Sequence, residues 1–411
     1  MKFFNFKKIF LAVLCLSIIT ILTSCVGART LMMTASQNPK NIMATPAIDT
    51  PSIANWDVQR VKFQDVFEHD VYGVMPKISM VDILSTETID NEYLRGNIEE
   101  ITLQSSYFTH DKDEIFIEFK AVILTPENVN SKTPIIMMEN FCPNHNVIPL
   151  KAISKPIGPA ISCDGTDWMA KIFGYFFGRY ITTPPIQTIL DKGYSIAVIF
   201  PSSVFPDRVS SLPLYKKAPD TSARWGAIGA WAWQFSLLSR HLDNDGRFSN
   251  TIAYGHSRYG KSALVAAAFN DTIDAAIAHQ SGTGGASLSK DKPGETVSQI
   301  TTQYPHWFTP AFREDNQTID QHHLLALIAP RPILLGNARR DVWSDPDGAF
   351  RAAQAATSIY KLYGKNGLIQ TKLTEFMPDA DIAFWMRPGT HGVVKEDWPA
   401  FLAFLDAHFA P

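Results

Sequence analysis

Cysteine is scarce: four residues in 411, too few for a small disulfide-built scaffold. An excess of one charge is also missing. Lys+Arg number 37 against Asp+Glu 40, a formal net charge of −3. That balance excludes a general nucleic-acid binder, which needs a strongly basic face. No apolar run is long enough for a comfortable membrane span of roughly 20 residues. There is no His-Glu-x-x-His, no Cys-x-x-Cys pair and no Gly-x-Gly-x-x-Gly after a strand. No metal or dinucleotide site is therefore indicated, and no cofactor is expected. Apolar residues make up 45 % and charged residues 19 %, an ordinary globular composition that excludes extensive disorder.

The longest apolar stretch is at the start. Lys2, Lys7 and Lys8 precede Ile9 to Leu22, 14 residues that end in Leu22-Thr23-Ser24-Cys25. A basic start with a short apolar core fits a secretory signal. The ending resembles the lipobox of bacterial lipoproteins, in which the cysteine becomes lipidated and N-terminal. An ordinary cleaved signal is the alternative. Cleavage before Cys25 would remove three lysines and no acid, and leave 387 residues with a net charge of −6. Val26, rather than aspartate, follows Cys25; the resemblance then implies outer-membrane sorting in a Gram-negative host. Residues 25–55 are rich in Ser, Thr, Asn, Pro and Met and read as a flexible tether. The folded part should start near Trp56 and run to residue 411 as one domain, with membrane contact through lipid only. Cys142 and Cys163 remain. They form either a disulfide or two buried thiols, since sequence does not set their separation.

From there short apolar runs alternate with helical stretches. Strands are expected at Ile115–Phe119, Ala121–Leu124, Pro134–Met138, Ser195–Phe200, Thr251–Tyr254, Ala275–Ala278 and Pro332–Leu335. Helices are expected at Gly226–Leu242, Arg258–Phe269, Ala349–Tyr363 and Trp398–His408. This alternation predicts an α/β fold with a mostly parallel central sheet between helical layers, whose sites form at the carboxyl ends of strands.

At one such end Gly255-His256-Ser257-Arg258-Tyr259-Gly260-Lys261 joins a strand to a helix. A serine on a sharp strand-to-helix turn is the nucleophile elbow of α/β-hydrolases. Gly255 allows the tight turn, and the helix offers its first amides to an oxyanion. The usual glycine two residues after the serine is Tyr259 here, and the glycine comes one later. Ser257 needs a base and an orienting acid, in the order Ser, acid, His along the chain. His391, on a loop between Gly389 and Gly392, is the base candidate. Asp341, just past a late strand, is the first choice of acid, with Asp345 in reserve. His322 and His323 read as helix-start or packing residues.

These residues resemble the glucuronoyl esterases, carbohydrate esterases that cleave esters of glucuronic acid. Gly255 to Ala263 is similar to that family's Gly-Cys-Ser-Arg-x-Gly-Lys-Gly-Ala, in which the shifted glycine is normal. Gln280-Ser281-Gly282-Thr283-Gly284-Gly285 is similar to its Glu-Ser-Gly-x-Gly-Gly. Many members carry the triad glutamate where this chain has Gln280, and glutamine lacks the charge that steadies imidazolium. A bacterial arrangement places an aspartate two residues before a tryptophan, as in Asp341-Val342-Trp343. The resemblance thus assigns the acid to Asp341. It implies that Arg258 helps hold the oxyanion, and that Lys261 donates to sugar hydroxyls. It further implies that Trp343 stacks on the pyranose, and that Glu295 and Gln303 contact the sugar. His256 replaces the family cysteine, so an elbow disulfide is out of reach and Cys142 with Cys163 is the only pair left. The implied activity is a serine carboxylesterase acting through an acyl-enzyme on a uronic-acid polysaccharide ester, as a monomer. The rivals are an acetyl(xylan) esterase or serine peptidase on the same fold, and an inactive, lipid-anchored sugar-binding protein.

Overall fold

A computed structural model describes residues 45–50, 52–78, 80–127, 131–156, 163, 177–215, 224–290, 292–313 and 318–410. The expected signal, Cys25 and most of the expected tether lie outside the described residues. Among these, nine strands form one sheet in the order β1-β2-β3-β5-β4-β6-β7-β8-β9. The strands are β1 Asp82–Thr88, β2 Gly96–Phe108, β3 Glu114–Pro126, β4 Thr133–Glu139, β5 Ser195–Ile199, β6 Phe248–His256, β7 Ala275–His279, β8 Ile333–Ala338 and β9 Ile382–Arg387. β1, β2 and β3 pair antiparallel, as do β3 and β5. From β5 through β4 and β6 to β9 every pairing is parallel.

The parallel strands carry apolar side chains on both faces, because helices cover both. β4, β5 and β7 are buried throughout, as expected for a sandwiched parallel sheet. Successive residues then serve opposite cores. Ile135 and Met137 face one core with Trp231, Leu264 and Ile359. Ile136 and Met138 face the other with Leu190, Trp398 and Phe401. The first face holds α1 Ile53–Val66, α2 Ala227–Asp243, α3 Arg258–Phe269, α4 Gln321–Ile328 and α5 Pro346–Leu362; the second holds α6 Asp397–Phe409. This is the three-layer α/β-hydrolase architecture that the sequence predicts.

Three expectations needed adjustment. The two fragments around residue 120 are one strand, β3. It continues through Lys120, whose ammonium pairs at 3.1 Å with Glu100 of β2. β1, β2 and β9 went unread. In β2 the acids Glu99 and Glu100 break the apolar pattern; Glu100 is buried because Lys120 and Ser154 satisfy it. α1 starts before Trp56, capped by Ser52, and only Trp56 of its residues is fully covered, so helical periodicity is absent. Cys142 and Cys163 form a disulfide, with Cα atoms 5.8 Å apart.

The turn from β6 into α3 is tight. Ser257 sits at φ +58°, ψ −120°, a conformation that costs a non-glycine residue about 1–3 kcal/mol. Its N–H donates to His279 O at 2.8 Å, and Gly260 and Lys261 donate back to Ser257 O. A Cβ on Gly255 would meet Tyr259 O at 1.9 Å, whereas one on Gly260 would sit 3.0 Å from Gly255 O. The first helical turn thus lies directly against the strand end. Tyr259 is tolerated where other hydrolases carry glycine because its ring turns into Phe141 and Trp231, at 4.9 and 5.1 Å. Gly255→Ala is therefore expected to destabilise the fold by about 2 kcal/mol or more. Gly246→Ala, where a Cβ meets nothing within 4 Å, should melt with the wild type. Calorimetry of the two variants checks this, and equal melting temperatures would contradict it.

Candidate functional site

The carboxyl ends of β6, β7, β8 and β9 deliver Ser257, Gln280, Asp341 and His391 in that spatial order. The amides of Arg258 and Tyr259 open α3 above Ser257, where the helix dipole favours negative charge.

His391 Nδ1 lies 2.7 Å from Asp341 Oδ2. An ionised carboxylate only accepts, so this bond puts a proton on Nδ1 and leaves Nε2 as the basic atom. Asp341 is 2 % exposed. Burial pushes its carboxyl up, but the attraction of His391 and the donors of Ser344 outweigh burial and hold it below the usual range. It is an anion at neutral pH. Asp345, the reserve candidate, does other work. Its backbone is left-handed and its Oδ1 accepts from Gly348 N at 3.0 Å, capping α5. Its Oδ2 accepts from Ser287 Oγ at 3.1 Å, and burial raises its pKa.

The loop carrying His391 is fastened from behind. Gln280 uses both ends of its amide: Oε1 accepts from Gly392 N at 2.8 Å and Nε2 donates to Thr390 O at 3.3 Å. A carboxylate could serve only the first bond. Arg387 donates to the carbonyls of Pro388, Thr390 and Gly392, while its Nε binds the buried Asp397. A Cβ on Gly392, at φ +148°, would strike Phe177 O at 2.0 Å, so this loop packs closely on residue 177. His256 packs its ring 4.6 Å from that of His391, and its Nδ1 lies 3.2 Å from His279 Nδ1. Burial drives both His256 and His279 down, so both are neutral. Sequence reasoning missed the roles of Gln280, Arg387, Asp397 and His279. The signals were the place of Gln280 at the family's glutamate position and the proximity of Arg387 to His391 along the chain.

The sugar-side candidates fall into two groups. Glu295 Oε1 accepts from Trp343 Nε1 at 2.9 Å, and the backbones of the two residues are joined at 3.0 Å. Trp343 keeps 37 % of its surface exposed, while Glu295 is buried. Lys261 is 4 % exposed, and its ammonium donates to Ser281 O and, at 2.8 Å, to Thr283 O. Burial lowers its pKa to about 8. Gln303, by contrast, is exposed at a helix end and binds Tyr304 OH at 3.0 Å. Arg258 stacks over Trp307, 4.8 Å from the ring centroid, and pairs with Asp207. Among the described residues no group of three or more His, Cys, Asp or Glu is placed to hold a metal ion.

Comparison with known proteins bears on this arrangement. The family described as "Glucuronyl esterase, fungi" matches residues 213–364. Carbohydrate esterase MZ0003, from an unknown prokaryotic organism, is 31 % identical over 405 residues, 91 % of each chain. A 4-O-methyl-glucuronoyl methylesterase of Neurospora crassa is 36 % identical over 157 residues, 34 % of this chain and 39 % of that protein. Among solved structures, a promiscuous CE15 esterase from a marine bacterial metagenome superposes with a TM-score of 0.75. Its identity is 28 %, over 91 % of this chain and 98 % of that one. A glucuronoyl esterase from Solibacter usitatus gives a TM-score of 0.74 at 25 % identity, over 90 % of this chain and 99 % of that one.

Proposed function

The chain belongs to the glucuronoyl esterase family, and from that premise we propose that it is a serine carboxylesterase that cleaves esters of glucuronic acid within plant or algal polysaccharides. The observation that carries this reading is the 2.7 Å bond between His391 and the ionised Asp341, at the sheet end that also bears the Ser257 elbow. Named relatives that are 4-O-methyl-glucuronoyl methylesterases support the uronate as the acyl part.

Ser257 Oγ attacks the ester carbonyl while His391 Nε2 takes its proton. Asp341 stabilises the imidazolium that results. The oxyanion rests against the amides at the head of α3 and the guanidinium of Arg258. His391 then returns the proton to the departing alcohol, and water attacks the acyl-enzyme by the same route. Lys261 and Glu295 hold sugar hydroxyls, Gln303 reaches the outer part of the chain, and Trp343 covers the pyranose face. Gln280 does not make the protein inert, because the acid role rests on Asp341. It fastens the histidine loop instead.

We also read the chain as lipid-anchored through Cys25 to the outer membrane, acting as a monomer. The order of basic start, apolar core and Leu22-Thr23-Ser24-Cys25 supports this. Among the described residues no helix is long and apolar enough to cross a membrane.

A panel of methyl, benzyl and allyl glucuronates, with galacturonates and acetylated xylan beside them, tests the substrate class. Glucuronates should be turned over best, and Ser257→Ala should lose at least about a thousandfold in kcat. Turnover confined to acetylated xylan would overturn the assignment. Lys261 gives a pH signature. Its ammonium is intact below about pH 8 and is lost as pH rises through that value. KM for a glucuronate should therefore rise above pH 8, and Lys261→Met should show a higher KM with no such rise. A flat wild-type profile from pH 7 to 9 would remove Lys261 from sugar binding.

A further inference from the structure

Arg258 is held from two sides. Its Nη1 donates to Asp207 Oδ2, and its guanidinium lies over the Trp307 ring. The second oxygen of Asp207 is itself occupied: Oδ1 accepts from His306 Nε2 at 2.9 Å and from Trp307 Nε1 at 2.7 Å. Trp307 thus meets the arginine twice, as a cation–π floor and through a shared acceptor. Its indole is stacked in turn on Tyr304, with ring centroids 3.8 Å apart. Burial, with Arg258 and Arg224 nearby, lowers the His306 pKa to about 4. The ring is neutral at working pH, so it donates to Asp207 without adding a competing charge.

The guanidinium also lies 5.5 Å from the Phe141 ring centroid, and one of its donors is left over. Arg258 Nε is buried and has no hydrogen-bond partner among the described residues. A buried N–H without an acceptor is costly. One residue past the nucleophile, it is set to receive something that arrives with the substrate. The aspartate sits 51 residues earlier in the chain, in the loop that follows β5, and nothing in its local sequence ties it to the elbow.

We propose that Asp207 is a positioning residue for the esterase reaction: clamped by His306 and Trp307, it fixes Arg258 so that the free edge of the guanidinium faces the oxyanion. The inference rests on the reading of Arg258 as an oxyanion donor. A donor aimed in advance needs no reorganisation in the transition state, so the clamp acts on kcat more than on substrate binding.

A double-mutant cycle on benzyl glucuronate tests this. Asp207→Asn keeps an acceptor for His306 and Trp307 but sets an amide against Nη1. It should lower kcat about tenfold or more while KM moves less than about threefold. Arg258→Ala should lower kcat about a hundredfold. The double variant should be no slower than Arg258→Ala by more than about twofold, since the effect of Asp207 passes through the missing arginine. Asp207→Ser repeats the cycle if the Asn variant fails to fold. Wild-type kcat in Asp207→Asn, or an equal loss in both backgrounds, overturns the clamp. Wild-type kcat in Arg258→Ala removes the oxyanion reading itself, and the clamp with it.

Discussion

The site depends on one buried charge. Asp341 is almost fully out of water yet ionised, and a lone carboxylate there would be costly. The imidazole of His391 and the donors of Ser344 offset that cost. The constraint runs in both directions. The carboxylate fixes the histidine tautomer and orientation, and the histidine keeps the carboxylate charged. Once Nδ1 carries the proton, Nε2 is left as the basic atom, and on the proposed mechanism it is this atom that activates Ser257 on its strained elbow.

A bond of this kind works only if the two loops bearing it do not drift. β8 and β9 are adjacent and parallel, so their carboxyl ends start side by side. Arg387 then gathers three carbonyls of the His391 loop, and Gln280 fixes the amide and carbonyl on either side of that histidine. With an uncharged amide at position 280, two tasks are separated in this chain. Charge comes from β8, and loop geometry comes from β7. The neutral amide suits the second task because it donates as well as accepts. His256 and His279 pack beside His391 as uncharged rings, which avoids a second buried cation next to the imidazole that the proposed mechanism protonates.

Much of this was legible in the sequence because it is local. Strand, turn and helix around Ser257 lie within one short stretch, and the apolar runs of β4 to β8 announce a covered parallel sheet. Asp341 and Asp345 could be ranked by resemblance, but their environments separate them: one meets an imidazole, the other caps α5. What was not legible needs distant partners. Glu100 is tolerated inside β2 only because Lys120 and Ser154 reach it. Asp207 finds Arg258 across 51 residues, and His279 meets His256 only because β7 pairs with β6. The edge strand β1 and the helix α1 carry little apolar periodicity, since each buries few residues.

The most direct test is kcat for hydrolysis of a glucuronate ester by Asp341→Asn, measured beside Asp345→Asn. The amide keeps the shape of Asp341 but loses the charge and favours the wrong histidine tautomer. The loss at position 341 should be about 10³–10⁴-fold in kcat, whereas position 345 should mainly lower thermal stability by loosening the start of α5. Near-normal turnover in Asp341→Asn, or the larger kinetic loss at Asp345, would contradict the account.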